Sequence, residues 1–138
     1  MSKPRVLIVD DDAKISNFLH AILAKAGGFE VREENRSYAA VPTALEFRPA
    51  GVLLDVDMPG KDGGDIAADL AAHPCLSSIP VLFITSLVHP EGAWVGPLKL
   101  GRHYFLAKPV LPKTLLDVVE SMVGGRSKLA LEHGSTRA

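Results

Sequence analysis

Three carboxylates, a hydroxyl and an amine stand where a small phosphate-handling pocket would need them, each at or near the end of a short apolar run. They belong to the cluster Asp10-Asp11-Asp12, the run Asp55-Val56-Asp57-Met58-Pro59, Thr85 and Lys108-Pro109, with the aromatic Phe105 close by. A carboxylate facing an open crevice can attack phosphorus and become an aspartyl-phosphate. Neighbouring carboxylates oppose both its ionisation and the approach of a phosphate dianion, so Asp10 and Asp11 make sense beside Asp55 only with a cation. Mg²⁺ suits the set, being a hard octahedral ion that takes one or two carboxylates and completes its shell with water and substrate oxygens. Lys108 would supply positive charge on the far side of a phosphoryl group, and the Thr85 hydroxyl could donate to a phosphoryl oxygen.

Singly, these residues have ordinary explanations. Consecutive aspartates commonly form a solvated turn, and Asp12 suits the N-cap of a helix. A strand-end threonine usually bonds backbone, a strand-end phenylalanine is core, and Lys-Pro alone says little. Asp55 differs: an acid directly after Leu53-Leu54 and before Met58-Pro59 has no evident structural duty. The order of the pieces along the chain carries the inference, because in a parallel sheet the chain leaves every buried strand at the same edge.

The elements needed to position them can be read in sequence. Val6-Leu7-Ile8-Val9, Val52-Leu53-Leu54, Val81-Leu82-Phe83-Ile84 and Tyr104-Phe105-Leu106 are continuous apolar runs of the kind buried on both faces of a sheet. Phe29 to Arg32 suits a short edge strand. Ile15, Phe18, Leu19, Ile22 and Leu23 recur at helical spacing, with Gly27-Gly28 ending that helix. A weaker helix spans Tyr38 to Phe47 despite Pro42, and an Ala-rich one follows Asp62-Gly63-Gly64 to about Ala72. Pro112 opens a last helix with Leu115, Leu116, Val118, Val119 and Met122 on one stripe, and Gly124-Gly125 stops it. Alternating strands and helices predict an α/β fold around a parallel sheet. The segment Leu87 to Gly101 carries Pro90, Gly92, Gly96 and Pro97, so any helix there is expected to be short, kinked or mobile.

At 138 residues, 47 % hydrophobic, the chain is expected to be one domain over 1–124 with a disordered tail over 125–138. A net charge of −1 gives no case for nucleic acid or a membrane as partner. The single Cys75 cannot close an internal disulfide, and no segment has signal-peptide or membrane-spanning character, so a cytoplasmic protein is expected. Cys75 reads as a small buried residue, and His20, His73, His89, His103 and His133 as scattered surface or helix residues. Trp94 reads as packing.

Val6-Leu7-Ile8-Val9-Asp10-Asp11-Asp12, Leu53-Leu54-Asp55-Val56-Asp57-Met58-Pro59-Gly60-Lys61-Asp62-Gly63 and Tyr104-Phe105-Leu106-Ala107-Lys108-Pro109-Val110 together resemble the receiver domain of bacterial two-component response regulators, over essentially Arg5 to Val123. The resemblance implies a doubly wound, flavodoxin-like sheet of five parallel strands in the order 2-1-3-4-5. It implies that Asp55 is the phosphoacceptor, charged by a histidine kinase or a histidine phosphotransfer protein in a phosphorelay. By the same likeness Asp11 and Asp55 would bind Mg²⁺ through carboxylates, Asp57 through its backbone carbonyl, and Asp10 largely through water. Lys108 would pair with the phosphoryl group, and Thr85 and Phe105 would form the switch that alters a protein-contact surface for a downstream protein target.

Ser86 stands where this family most often has Ala, and Leu87 and Asp57 hold positions that bear on phosphate lifetime. An apolar Leu87 cannot orient an attacking water. The Pro/Gly-rich stretch before Phe105 falls where receivers usually present their signalling surface. Fifteen residues follow Val123, so a stand-alone receiver is expected, a signalling switch rather than an enzyme. Two other readings compete. Asp55-Val56-Asp57 also resembles the start of haloacid-dehalogenase-type phosphohydrolases, though that motif normally occupies the first strand and would leave Asp10-Asp11 without a role. A degenerate receiver that only binds a partner would have lost Asp11, Asp55 or Lys108, and all three are present.

Overall fold

The computed structural model describes residues 3–56, 63–86, 97–124 and 132–133. Strand β1 (Arg5–Val9) leads into helix α1 (Ala13–Ala26), and strand β2 (Glu30–Glu34) follows. A 3₁₀ turn (Ser37–Ala39) runs into helix α2 (Ala40–Phe47), then strand β3 (Gly51–Asp55), helix α3 (Gly63–Ala72) and strand β4 (Val81–Thr85). Strands β5 (Leu98–Leu100) and β6 (His103–Ala107), helix α4 (Pro112–Gly124) and a short strand β7 (Glu132–His133) are the remaining elements among the described residues. Helix α2 tolerates Pro42 because that residue sits in the first turn, where an amide has no intrahelical partner to lose.

The sheet runs β2-β1-β3-β4-β6-β5-β7. Its first five members are all parallel, so the expected 2-1-3-4-5 order holds with β6 as the fifth parallel strand. Two short strands extend it beyond expectation. β5 pairs antiparallel with β6, Leu100 opposite His103, and β7 pairs parallel with β5. A two-residue loop, Gly101-Arg102, joins β5 to β6, and the positive φ of Gly101 (62°) supplies the backbone twist that a tight hairpin needs. Where a helix was expected up to Gly101, the end of the segment is therefore a strand. Glu132–His133, within the expected loose tail, also pair; Trp94, His89 and the rest of 125–138 lie outside the described residues.

Strand alternation splits the core into two layers. Val6, Ile8, Leu53, Leu82, Ile84, Tyr104 and Leu106 face α1 and α4, packing with Leu19, Leu23, Leu115, Val118 and Val119. Leu7, Val9, Val52, Leu54, Val81 and Phe83 face α2 and α3, packing with Ala44, Phe47, Ile66 and Leu70. The end of β1 remote from Asp10 is tied down by Arg5, whose Nε donates to the carbonyls of Phe47 (2.7 Å) and Arg48 (3.1 Å). A guanidinium on the last carbonyls of α2 satisfies acceptors the helix cannot.

Candidate functional site

The carboxyl ends of β1, β3, β4 and β6 deliver the site. Asp10 follows β1 directly, its N–H donating to the Glu34 carbonyl (3.2 Å) and so extending the ladder to β2. Asp12 caps α1 as expected, Oδ1 accepting from the Lys14 amide (2.9 Å). Asp55 is the last residue of β3 and is buried. Thr85 ends β4, and its carbonyl accepts from the Lys108 N–H (2.8 Å), which carries the β4–β6 pairing one residue past Ala107. Lys108 Nζ then stands 3.3 Å from Asp55 Oδ1.

Asp10, Asp11 and Asp55 bring carboxylate oxygens within 4.8 Å of one another. Asp10 is only 2 % exposed, and one of its oxygens accepts from the Asp12 amide (2.9 Å). Burial, with the Asp55 carboxylate beside it, pushes the Asp10 carboxyl up to about 7, against the pull of the Asp12 amide and Lys108. Three acids and one ammonium leave this pocket short of positive charge. A cluster of hard oxygens so placed fits a divalent cation, which when bound would supply that charge through Asp10, Asp11 and Asp55. Asp57, expected to contribute its carbonyl, and Leu87 lie outside the described residues.

Thr85 and Phe105 share the α2/α3 side of the sheet. Phe83 is paired with Phe105 and Thr85 with Ala107, so Thr85 and Phe105 are diagonal neighbours across the two strands. The Phe105 ring is half-buried and stacks on Phe83, with centroids 5.0 Å apart and planes 18° from parallel. On its other flank Lys108 borders a shallow cleft of about 230 Å³ lined by Ile15, Phe18, Leu19, Pro109 and Val110. Phe18, expected in the apolar stripe of α1, is 48 % exposed at its edge.

Two expectations fail. Cys75 is exposed, because the turns after α3 carry it to the surface. His103 lies in strand β6, not in a helix, and is half-buried, with a buried Nδ1 and its ring edge-on to Phe83 (5.6 Å between centroids); burial lowers its pKa. Sequence reasoning also missed a polar chain that starts at the Asp10 carbonyl. Asn35 Nδ2 donates to the Asp10 carbonyl (2.7 Å) and to Ser16 Oγ (2.9 Å), and Ser16 Oγ donates to Glu33 Oε1 (2.8 Å). Glu33 Oε2 meets His20 Nδ1 at 2.6 Å. The available signal was Ser16, a small hydroxyl between Ile15 and Leu19 on an otherwise apolar helix face.

The family profile described as the response regulator receiver domain matches residues 6–120. The DNA-binding response regulator MtrA of Mycolicibacterium paratuberculosis is 32 % identical over 119 residues, 86 % of this chain and 51 % of MtrA. The chain thus spans about half the length of that curated relative. Among solved structures, chemotaxis protein CheY4 of Vibrio cholerae superposes with a TM-score of 0.72 at 25 % identity, covering 88 % of this chain and 99 % of CheY4. The signal receiver domain of a modulated diguanylate cyclase from Desulfovibrio desulfuricans, described as an example of alternate folding, superposes at 0.69 with 31 % identity, covering 90 % of this chain and 96 % of that one. With its strand order, its acidic edge and this agreement, the chain belongs to the response regulator receiver domain family.

Proposed function

We propose that this domain is a Mg²⁺-dependent phosphoacceptor, switched by phosphorylation of Asp55. The observation that carries the reading is the meeting of Asp10, Asp11 and Asp55 on one side with Lys108 on the other, Nζ 3.3 Å from Asp55 Oδ1. An Asp55 oxygen forms the bond to phosphorus as the donor's phosphorus–nitrogen bond breaks, and the departing imidazole takes up a proton. Asp11 and Asp55 would hold Mg²⁺ through their carboxylates and Asp10 largely through water, and the bound ion would offset charge on the phosphoryl oxygens. Lys108, now beside Asp55, moves its ammonium onto a phosphoryl oxygen. The donor is a histidine kinase or a histidine phosphotransfer protein, and the apolar cleft edged by Phe18 offers it footing next to Lys108.

The added charge biases a two-state equilibrium in which Thr85 turns its hydroxyl toward the phosphoryl group and Phe105 follows by packing alone, having no hydroxyl to re-bond. The protein acts as a signalling switch, and phosphotransfer onto its own Asp55 is its only chemistry. A downstream protein reads the altered surface. MtrA is a DNA-binding regulator, of which the match covers 51 %, so the expectation of no nucleic-acid contact draws no support from that relative. No described helix is long and apolar enough to cross a membrane.

The test is intact-protein mass after incubation with acetyl phosphate, with and without Mg²⁺, for the wild type and Asp55→Asn. A single Mg²⁺-dependent phosphoryl adduct, absent from the variant, is expected. An adduct that persists in Asp55→Asn removes Asp55 as acceptor, and steady turnover of a small phosphate ester favours the phosphohydrolase alternative.

A further inference from the structure

The β1–β2 ladder ends with a substitution. Glu30 N–H donates to the Pro4 carbonyl, so each alternate β1 carbonyl meets an amide twenty-six positions on, and the donor due to the Asp10 carbonyl is the Arg36 N–H. That amide is turned away, donating to Glu34 Oε2 at 3.0 Å. The Asn35 side chain takes its place on the Asp10 carbonyl at 2.7 Å. Both Asn35 partners along this chain, the Asp10 carbonyl and Ser16 Oγ, receive its hydrogens, which fixes the amide's orientation since a carbonyl can only accept. Ser16 is fully buried and passes its own hydrogen to Glu33, whose second oxygen is held by His20. The Asp10 carbonyl belongs to the rigid peptide plane that leads into Asp11, so its direction sets where the exposed Asp11 carboxylate can reach.

We propose that Asn35 is a positioning residue for the acidic pocket, aiming Asp11 at the cation through the Asp10–Asp11 peptide, with Ser16 and Glu33 holding Asn35 in place. The proposal rests on the reading of Asp10, Asp11 and Asp55 as a cation site, and its test keeps the two apart. Mg²⁺ affinity is measured by titration calorimetry, and amide hydrogen exchange at Asp11 and Asp12 is measured in EDTA. The proteins compared are the wild type, Asn35→Ala, Ser16→Ala and Thr43→Ala.

Thr43 donates to Glu34 Oε1 (2.6 Å) at the same end of β2, whereas Asn35 Nδ2 bonds the Asp10 carbonyl and Ser16, so Thr43 reports general loosening. Asn35→Ala is expected to weaken Mg²⁺ about tenfold, as loss of a partner behind a metal ligand does. It should also speed exchange at Asp11 and Asp12 without the ion. Ser16→Ala shifts both in the same direction by less, and Thr43→Ala lowers the thermal midpoint while Mg²⁺ binding stays at the wild-type value. Wild-type affinity and exchange in Asn35→Ala overturn the proposal, as does an equal loss of affinity in Thr43→Ala. If the wild type itself fails to bind Mg²⁺, the cation-site reading falls, and the exchange rates in EDTA still decide whether Asn35 holds the peptide.

Discussion

Gly63 lies against the backbone of Asp55: a Cβ added at Gly63 would stand 2.8 Å from the Asp55 carbonyl oxygen and 3.1 Å from the Val56 Cα. Helix α3 thus begins in contact with the chain that carries the phosphoacceptor candidate, and only a residue without a side chain fits. Both neighbours are backbone, so neither can swing aside.

Gly63→Ala is therefore expected to destabilise the fold by about 2 kcal/mol, the range for forced overpacking, although Ala is the better helix former by about 1 kcal/mol. Urea unfolding checks the stability. Slower acceptance from acetyl phosphate should accompany it, because relief of the clash displaces Asp55.

Asp10 makes cation-free stability depend on pH in an unusual sense. Its folded value of about 7 lies above the ordinary 3.8, so its contribution is fully present below about pH 4 and is lost as pH rises toward 7. Asp10→Asn removes that slope and is expected to stabilise the cation-free protein at pH 7.5 by on the order of 2 kcal/mol. Saturating Mg²⁺ flattens the slope in the wild type. Thermal midpoints from pH 4 to 8, in EDTA and in Mg²⁺, measure all three.

Lys108→Ala should move two properties in opposite directions. Loss of the ammonium 3.3 Å from Asp55 slows phosphoryl acceptance by on the order of 100-fold, the scale for one electrostatic group at a transferring centre. The same change removes a repelling cation and tightens Mg²⁺ binding several-fold. A fall in both would mean that Lys108 holds the pocket together and does not act on the phosphoryl group.

Glu34 carries the opposite pH sign to Asp10. Burial raises its pKa, but hydrogen bonds from Arg36 and Thr43 outweigh burial and leave it lowered. Its contribution is present above the ordinary value of 4.5 and is lost as pH falls below it. Glu34→Gln should lower the thermal midpoint at pH 7 and make the protein less sensitive to acid between pH 5 and 3, by circular dichroism.

The parallel strands were legible because burial on both faces forces unbroken runs such as Val6–Val9 and Val81–Ile84, with no alternation to misread. Asp55, Thr85 and Lys108 were legible through their order, since the topology turns strand ends into neighbours. β5 was hidden by its length, three residues, although Leu98-Lys99-Leu100 followed by Gly101 is a hairpin signal that the expectation of a crossover helix overrode. Asn35, Ser16, Glu33 and His20 were illegible for a different reason: their hydrogen bonds join α1 to the end of β2, seventeen to nineteen residues apart for Ser16, and no spacing encodes that pairing. Cys75 went wrong because residue type predicted burial and a turn decided otherwise.

Arg5 and Asp10 sit at opposite ends of β1, roughly 16 Å apart along an extended strand. One end is clamped to the closing carbonyls of α2, and the other carries a concentrated negative load. A strand pinned in this way cannot answer a change in that load by sliding along its axis. Under the proposed switching, displacement would then fall on the neighbouring strands of the sheet and not along β1. In mechanical terms β1 would be the stator of the proposed switch and the far side of the sheet its rotor, so a probe meant to report on switching belongs near β5 or β6, whereas one meant to stay silent belongs beside Arg5.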